Sequence, residues 1–174
     1  EIVAKAGFEA NIIENHDQPR GASLFIPEED YGFYSLSALA TIIFCERGLP
    51  FLYQGQEIGM SNRQWKYDEF NDLETINQYQ IALKAGMSKE QALEIARHHS
   101  RDNARTPMQW SSEDNAGFSK GKPWMPVNEN YKVVNVAEEE KEYGSILNFY
   151  KRLIAFYKSE EYNEILTYGD FRPI

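Results

Sequence analysis

The 174-residue chain carries a formal net charge of −9, with 27 acidic and 18 basic side chains. An acidic protein lacks the basic face that nucleic acid or an anionic membrane surface requires, so we expect neither as a partner. The length allows one domain with a buried core, but it falls short of the about 250 residues of a typical eight-stranded β/α barrel.

The single cysteine, Cys45, ends the apolar run 40–45 and is expected to be a small buried hydrophobe. It has no internal partner for a disulfide, and no apolar run of the sequence reaches the roughly 20 residues of a membrane span. These features predict a cytoplasmic protein. The chain starts at Glu1 without an initiator Met, which is typical of a fragment of a longer protein.

The first sixty residues have the pattern of a parallel α/β sheet. Residues 8–14 and 49–53 are short apolar runs that predict buried strands, and residues 31–47 repeat apolar positions at helical spacing. Each strand is followed by a polar loop, at residues 15–20 and 54–59. Ligand sites of such sheets lie beyond the carboxyl ends of the strands, where both loops are placed.

A long excursion, residues 61–142, follows the second loop. It contains two predicted helices, at 75–85 and 87–99, and Ser88 with Gln91 fits a capping box at the start of the second. Irregular stretches as long as residues 100–135 are usually functional in compact proteins.

Three tryptophans of the excursion are candidate platforms for sugar rings. Core packing is the expected fate of two of the three, because indoles dominate cores as well as binding sites. They are Trp65, Trp110 and Trp124.

The last part of the chain predicts an acidic turn, a helix and a strand. Residues 138–140, three consecutive glutamates, are expected to form a solvated turn. Residues 145–158 show an amphipathic helical stripe, and residues 165–171 alternate like a strand. That strand would be an unpaired edge at the end of the sequence.

The loop at 15–20, Asn-His-Asp-Gln-Pro-Arg, carries the sharpest chemical signal. A carboxylate and an imidazole at a strand end can bind vicinal hydroxyls, and Asp17 would oppose the positive charge of an oxocarbenium-like transition state. Arg20 would either keep Asp17 charged or shape the loop. An ordinary polar loop with a capping Asp is the alternative interpretation.

Three blocks of the sequence together resemble one enzyme family. Residues 15–20 resemble the last conserved region of the alpha-amylase family of glycoside hydrolases, and residues 48–60 resemble its eighth barrel strand and following loop. Residues 100–110, with 115–118 and 121–124, resemble a signature of its oligo-1,6-glucosidase branch. That branch includes dextran glucosidases, trehalose-6-phosphate hydrolases and sucrose isomerases.

The resemblance implies roles for the residues of the first block. Asp17 matches the third catalytic carboxylate, which stabilises the transition state, and His16 matches the histidine that hydrogen-bonds the sugar in the −1 subsite. Asn15 and Arg20 belong to the same substrate-binding motif in supporting roles.

Arg101 matches the arginine that recognises the terminal glucose, and its five donors suit hydroxyls and a partner carboxylate from outside this chain. The alternative for Arg101 is a structural salt bridge with Asp102 or Glu94.

The family's nucleophile and acid/base motifs do not occur in this sequence. Retaining hydrolysis needs two carboxyl groups about 5–5.5 Å apart, and neither Glu14 nor Asp30 has motif support for either role. Glu57 is interpreted as a structural group below the site. We therefore expect the isolated chain not to hydrolyse glycosides.

The fold implied by the resemblance is α/β, a partial (β/α)8 barrel. Residues 1–160 would be the C-terminal part of the catalytic barrel, and residues 161–174 would start a C-terminal β domain. The implied reaction is retaining hydrolysis of terminal alpha-1,6-glucosidic bonds in isomalto-oligosaccharides or dextran. The expected partner is an alpha-glucoside oligosaccharide, and self-association is expected because part of a barrel leaves apolar faces uncovered.

No cofactor or metal is expected. A site at His98, His99 and Asp102 is disfavoured, because adjacent residues of a helix point about 100° apart.

Three alternatives to glucoside hydrolysis stay open. Sucrose isomerisation or transglycosylation would depend on residues 21–30, where 24–30 depart from the commoner family pattern. A non-catalytic, amylase-like binding protein is the second alternative. Trehalose-6-phosphate hydrolysis is the third, but no basic cluster for a phosphate is identified.

Overall fold

The computed structural model describes residues 7–169, which form a small α/β fold dominated by helices. The two strands are β1 (Ala10–Asn11) and β2 (Leu49–Pro50). The α-helices are α1 (Gly21–Phe25), α2 (Phe33–Cys45), α3 (Leu73–Lys84), α4 (Lys89–His99), α5 (Val136–Glu139), α6 (Ile146–Tyr157) and α7 (Asn163–Tyr168). Short 3-10 helices lie at Glu28–Asp30, Gln56–Ile58, Tyr67–Glu69, Arg101–Arg105, Asp114–Gly117 and Glu129–Lys132.

β1 and β2 form a parallel pair connected through α1 and α2. Ala10 pairs with Leu49 and Asn11 pairs with Pro50. Both strands lie inside the predicted runs but are shorter. Gly48 precedes β2 with a φ of 137°, and a Cβ there would lie 2.6 Å from the Glu9 carbonyl oxygen. Only glycine allows this close approach of the two strands.

The main core lies between α2 and α6. The buried residues of α6 recur at three- and four-residue spacing, as the predicted amphipathic stripe requires. Phe44 packs edge-on against Tyr157 at 5.7 Å between ring centroids, and the Tyr157 hydroxyl donates to the Gly48 carbonyl at 3.2 Å. Ser145 caps α6 by accepting from the Asn148 amide at 3.2 Å. This core therefore ties both helices to the strand pair.

A second core lies inside the excursion, between α3 and α4. Trp65 is fully buried there and stacks on Phe70 at 5.6 Å. Both predicted helices are present. The capping box of α4 is confirmed by two bonds: Ser88 Oγ accepts from the Gln91 amide at 3.2 Å, and Gln91 Oε1 accepts from the Ser88 amide at 3.0 Å.

The expectation for the tryptophans is wrong for one of them. Trp65 is buried, but Trp110 and Trp124 are 51% and 76% exposed. The loop around them packs through Met108 and Met125, which are 4% and 0% exposed, so the indoles are not needed for its core.

Two further expectations about burial are also wrong. Cys45 is exposed, because the buried positions of α2 are its residues 36, 40, 43 and 44, and Cys45 follows the last of them. Glu139, predicted to be solvated, is only partly exposed, because its carboxylate turns inward to accept from the Leu147 amide at 2.9 Å.

The predicted strand at 165–171 is wrong over its described part, because Asn163–Tyr168 is helical. Thr167 lies on the buried face of α7, with its hydroxyl 3.1 Å from that of Tyr157. The alternating pattern fits this short helix as well as a strand, and packing on α6 decides between them. Residues 170 and 171 lie outside the described residues, and the domain division at residue 160 stays a prediction.

No helix within residues 7–169 combines the length and the apolar composition that crossing a bilayer demands.

Candidate active site

The loop after β1 presents two polar side chains to solvent. Asn15 Oδ1 accepts from the Asp17 amide at 2.8 Å, and Asn15 Nδ2 donates to Gln18 Oε1 at 3.2 Å. This turn leaves the His16 and Asp17 side chains 71% and 52% exposed, with His16 Nε2 at 3.1 Å from Asp17 Oδ2. Asn15 thus shapes the loop, and His16 and Asp17 face outward together.

Arg20 lies beneath this loop and is fully buried. Its Nη1 donates to Glu14 Oε1 at 2.7 Å and to the Gln54 carbonyl at 2.6 Å, and its Nε donates to the Asn103 carbonyl at 3.1 Å. Arg20 therefore joins the ends of both strands to the Arg101–Arg105 helix. Of its two predicted roles, this geometry corresponds to shaping the loop, and the charged partner of Arg20 is Glu14 instead of Asp17.

The buried pair of Arg20 and Glu14 affects the pKa of Glu14 and limits the size of the residue that can lie beside the guanidinium. Burial raises the pKa of Glu14, and the attraction and hydrogen bond of Arg20 oppose that rise. Gly55 has a φ of 88°, and a Cβ there would lie 3.0 Å from Arg20 Nη1. A glycine at this position leaves room for the guanidinium.

Two arginines of the Arg101–Arg105 helix converge on Asp17. Arg105 Nη2 lies 2.9 Å from Asp17 Oδ1, and Arg105 Nε donates to the His16 carbonyl at 3.0 Å. Arg101 Nη1 lies 3.6 Å from the same Asp17 oxygen. The structure therefore brings Arg101 to the predicted site. It adds Arg105, which the sequence reasoning missed although it lies in the same motif block.

The carboxylate that holds Arg101 is Asp72. Arg101 Nη2 lies 2.5 Å from Asp72 Oδ1, and Arg101 Nε lies 3.2 Å from Asp72 Oδ2. Burial by itself would raise the pKa of Asp72, but the hydrogen bonds from Arg101 and Thr75 lower it to about 2. Within the described residues Arg101 thus has a carboxylate partner of its own, and the further partner carboxylate expected from outside the chain stays a prediction.

The two alternative partners predicted for Arg101, Asp102 and Glu94, are wrong. Asp102 points away from Arg101 and accepts from the Asn71 and Asp72 amides at 2.7 and 2.9 Å. Glu94 lies 3.6 Å from Arg97.

A cavity of about 350 Å³ opens beside Asp17 and extends between α3 and α4. This volume lies within the usual range of small-ligand sites. Burial and the neighbouring His98 lower the pKa of His99. The wall mixes carboxylates, an amide, an imidazole and a guanidinium, which suits a neutral ligand rich in hydroxyls. Its polar side chains include Asp17, Asp72, Glu74, Gln78, His99 and Arg101.

Among residues 7–169, no group of three histidine, cysteine, aspartate or glutamate side chains is placed to hold a metal ion.

The parallel strand pair and the polar loops at its carboxyl edge define an α/β protein with a candidate ligand site at that edge. A family model described as the alpha-amylase catalytic domain matches residues 1–169, and the chain belongs to that family. The predicted resemblance to the alpha-amylase family is thereby confirmed.

Three similar proteins illustrate the range within the family. The oligo-1,6-glucosidase of Bacillus cereus is 41% identical over 167 residues, which cover 95% of this chain and 29% of that protein. The crystal structure of Bacillus licheniformis trehalose-6-phosphate hydrolase has a TM-score of 0.91 at 40% identity, covering 99% of this chain and 31% of that one. The isomaltulose synthase of Klebsiella sp. LX3 has a TM-score of 0.88 at 37% identity, with coverages of 99% and 31%. The chain thus spans about three-tenths of the length of these proteins.

Proposed function

We propose that this chain is the C-terminal part of the (β/α)8 catalytic barrel of a retaining alpha-glucosidase. Its substrates would be terminal alpha-1,6-glucosidic bonds of isomalto-oligosaccharides or dextran. The observation that carries the proposal is Asp17, exposed at the carboxyl end of β1, beside His16 at 3.1 Å and Arg105 at 2.9 Å, and at the mouth of the cavity.

Asp17 contributes electrostatically in this proposal. Cleavage of a glycosidic bond develops positive charge on the sugar ring, and a carboxylate fixed beside the ring stabilises that charge. Arg105 holds Asp17 through Oδ1 and the loop through the His16 carbonyl, so the carboxylate is positioned before the ligand arrives. His16 and Arg101 supply donors for sugar hydroxyls.

The isolated chain would be inactive in hydrolysis. In the family, the nucleophile and the acid/base carboxylates come from barrel strands that this sequence does not match. A direct test is release of nitrophenol from a nitrophenyl alpha-glucoside by the purified 174-residue chain. Turnover that disappears in Asp17→Ala would contradict this part of the proposal.

The apolar edge of the strand pair would contact the rest of the barrel. Five side chains here remain 39–51% exposed, which is a costly arrangement in water. We propose that the isolated chain covers them by self-association, and a monodisperse monomer in light scattering would contradict this. The five exposed side chains of this edge are Phe8, Ile12, Leu49, Phe51 and Leu52.

A graft tests the enzymatic role. The matching segment of the Bacillus cereus oligo-1,6-glucosidase, 167 residues long, is replaced by this chain, and glucose release from isomaltose is measured. We expect activity in the graft and a loss of roughly 100-fold or more in Asp17→Asn, the size typical of removing one electrostatic group. Glu113→Gln, which also removes an exposed carboxylate, is the matched control and should leave the rate unchanged.

Sucrose isomerisation is the second candidate, supported by 37% identity and a TM-score of 0.88 to the isomaltulose synthase. Residues 21–30, on which that reaction would depend, form α1 and a 3-10 helix. Incubating the graft with sucrose and separating the products distinguishes the reactions. Isomaltulose or trehalulose would favour the isomerase, and glucose with fructose would favour the hydrolase.

A further inference from the structure

We infer that Asp72 is a positioning residue, which holds Arg101 back from Asp17 so that one nitrogen of Arg101 stays available to a ligand hydroxyl. The inference rests on the proposed function for its consequence in catalysis. Its structural part concerns Asp72, Arg101 and Asp17 alone.

The first step is the division of the Arg101 donors. Asp72 engages Nε at 3.2 Å and Nη2 at 2.5 Å, a two-point contact with one edge of the guanidinium. The remaining nitrogen, Nη1, lies 3.6 Å from Asp17 Oδ1, which is too long for a direct hydrogen bond. Nη1 is therefore the part of Arg101 that can donate to a hydroxyl placed between it and Asp17.

The second step is the difference in burial between Asp72, Arg101 and Asp17. The exposed side-chain fractions are 3% for Asp72, 34% for Arg101 and 52% for Asp17. Asp72, which fixes Arg101, is thus almost excluded from water, whereas the Arg101 and Asp17 side chains remain partly open to it. An ion pair removed from water holds its geometry better than one at the surface.

The third step is that Asp72 is itself fixed on several sides. Asp102 accepts from the Asp72 amide at 2.9 Å and from the Asn71 amide at 2.7 Å. The Thr75 hydroxyl donates to Asp72 Oδ2 at 2.7 Å and also lies 3.0 Å from Ser100 Oγ. The carboxylate is therefore rigid before Arg101 binds it. Without its charge, Arg101 would move towards Asp17, whose Oδ1 it could then share with Arg105, and block that side of the cavity.

The direct test uses the 174-residue chain and the side-chain nitrogen signal of Arg101 in NMR. In the unsubstituted chain we expect a resolved Nε–Hε signal with slow hydrogen exchange, because that proton is bound to a buried carboxylate. In Asp72→Asn the signal should move and exchange at least tenfold faster. Asn135→Ala, which removes a buried cap from α5 far along the chain, should leave it unchanged. An unchanged signal in Asp72→Asn would overturn the inference.

The second test measures kinetics in the isomaltose-hydrolysing graft. We expect Asp72→Asn to lower kcat/KM roughly 10- to 100-fold, the cost of misplacing a binding group by about 1 Å. Adding Asp72→Asn to Arg101→Ala should cost nothing further, because both substitutions remove one function. Additive losses would mean that Asp72 acts on stability only and would overturn the positioning role. A graft without any activity would contradict the proposed function, and the NMR result would still decide the positioning of Arg101.

Discussion

The excursion and the strand pair differ in how completely they are packed within this chain. In the excursion, Trp65 and Met125 are fully buried, and buried polar side chains such as Asp102 and Asn103 have hydrogen-bond partners. At the strand pair, Phe8 and Phe51 remain 43% and 51% exposed. The comparison indicates that the excursion has a core of its own, whereas the strand pair leaves large apolar side chains exposed.

The largest expected effect breaks the core of the excursion. Trp65→Ala should lower the free energy of unfolding by about 3–5 kcal/mol, because it removes a fully buried indole and leaves a cavity. Urea denaturation measures this, with Trp124→Ala as the control, since that indole is 76% exposed and should cost under about 0.5 kcal/mol. Equal losses would mean that the two regions of the excursion are packed alike.

A smaller effect concerns acid stability of the excursion. The folded pKa of Asp72 is about 2, below its usual 3.8, so its stabilising contribution is complete above pH 3.8 and lost as the pH falls towards 2. The shift corresponds to about 2 kcal/mol. Unfolding free energies between pH 5 and pH 2 should fall more steeply in the unsubstituted chain than in Asp72→Asn. If the unfolding free energies of the two proteins fall in parallel with pH, the lowered pKa of Asp72 is contradicted.

At Glu139, the dependence of the unfolding free energy on pH is expected to have the opposite sign. Burial raises the pKa of Glu139 from its usual 4.5 to about 7, with a smaller contribution from Glu57. The folded state therefore favours the protonated acid, and stability present below pH 4.5 is lost as the pH rises to about 7.

Glu139→Gln keeps an oxygen that can accept from the Leu147 amide but removes the charge. It should stabilise the chain by about 1–2 kcal/mol at pH 8, after allowance for solvent access, and by little at pH 4. Thermal denaturation at both values checks this, and the partly exposed Glu57 replaced by Gln offers a comparison. A stabilisation independent of pH would exclude titration as its cause.

The smallest change in stability is expected at the strand edge. Phe51→Ser should lower the unfolding free energy by only about 1 kcal/mol, because half of the ring is already exposed. Its effect should instead be a lower average mass in light scattering, if the edge mediates self-association. Tyr34→Ser, at a side chain 86% exposed on α2, is the matched control. A mass lowered equally by both would place the contact elsewhere.

Much of the fold follows from short-range patterns. The stripe in residues 145–158 predicted α6, and Ser88 with Gln91 predicted the start of α4. The loop at 15–20 directed attention to His16 and Asp17, which the structure places side by side. The strand predicted at 165–171 is wrong over its described part, because an alternating pattern this short also fits the end of a helix.

Local patterns determined the helices, their caps and the position of the acidic loop, because these depend on neighbours within about four residues. Only the tertiary structure decided that Arg20 pairs with Glu14, that Arg105 reaches Asp17 and that Asp72 holds Arg101. An ion pair depends on which chain segments meet in space, and Asp72 lies 29 residues from Arg101 while Arg105 lies 88 from Asp17. Burial of Glu139 and exposure of Trp110 were decided in the same way, since both depend on the segments packed around them.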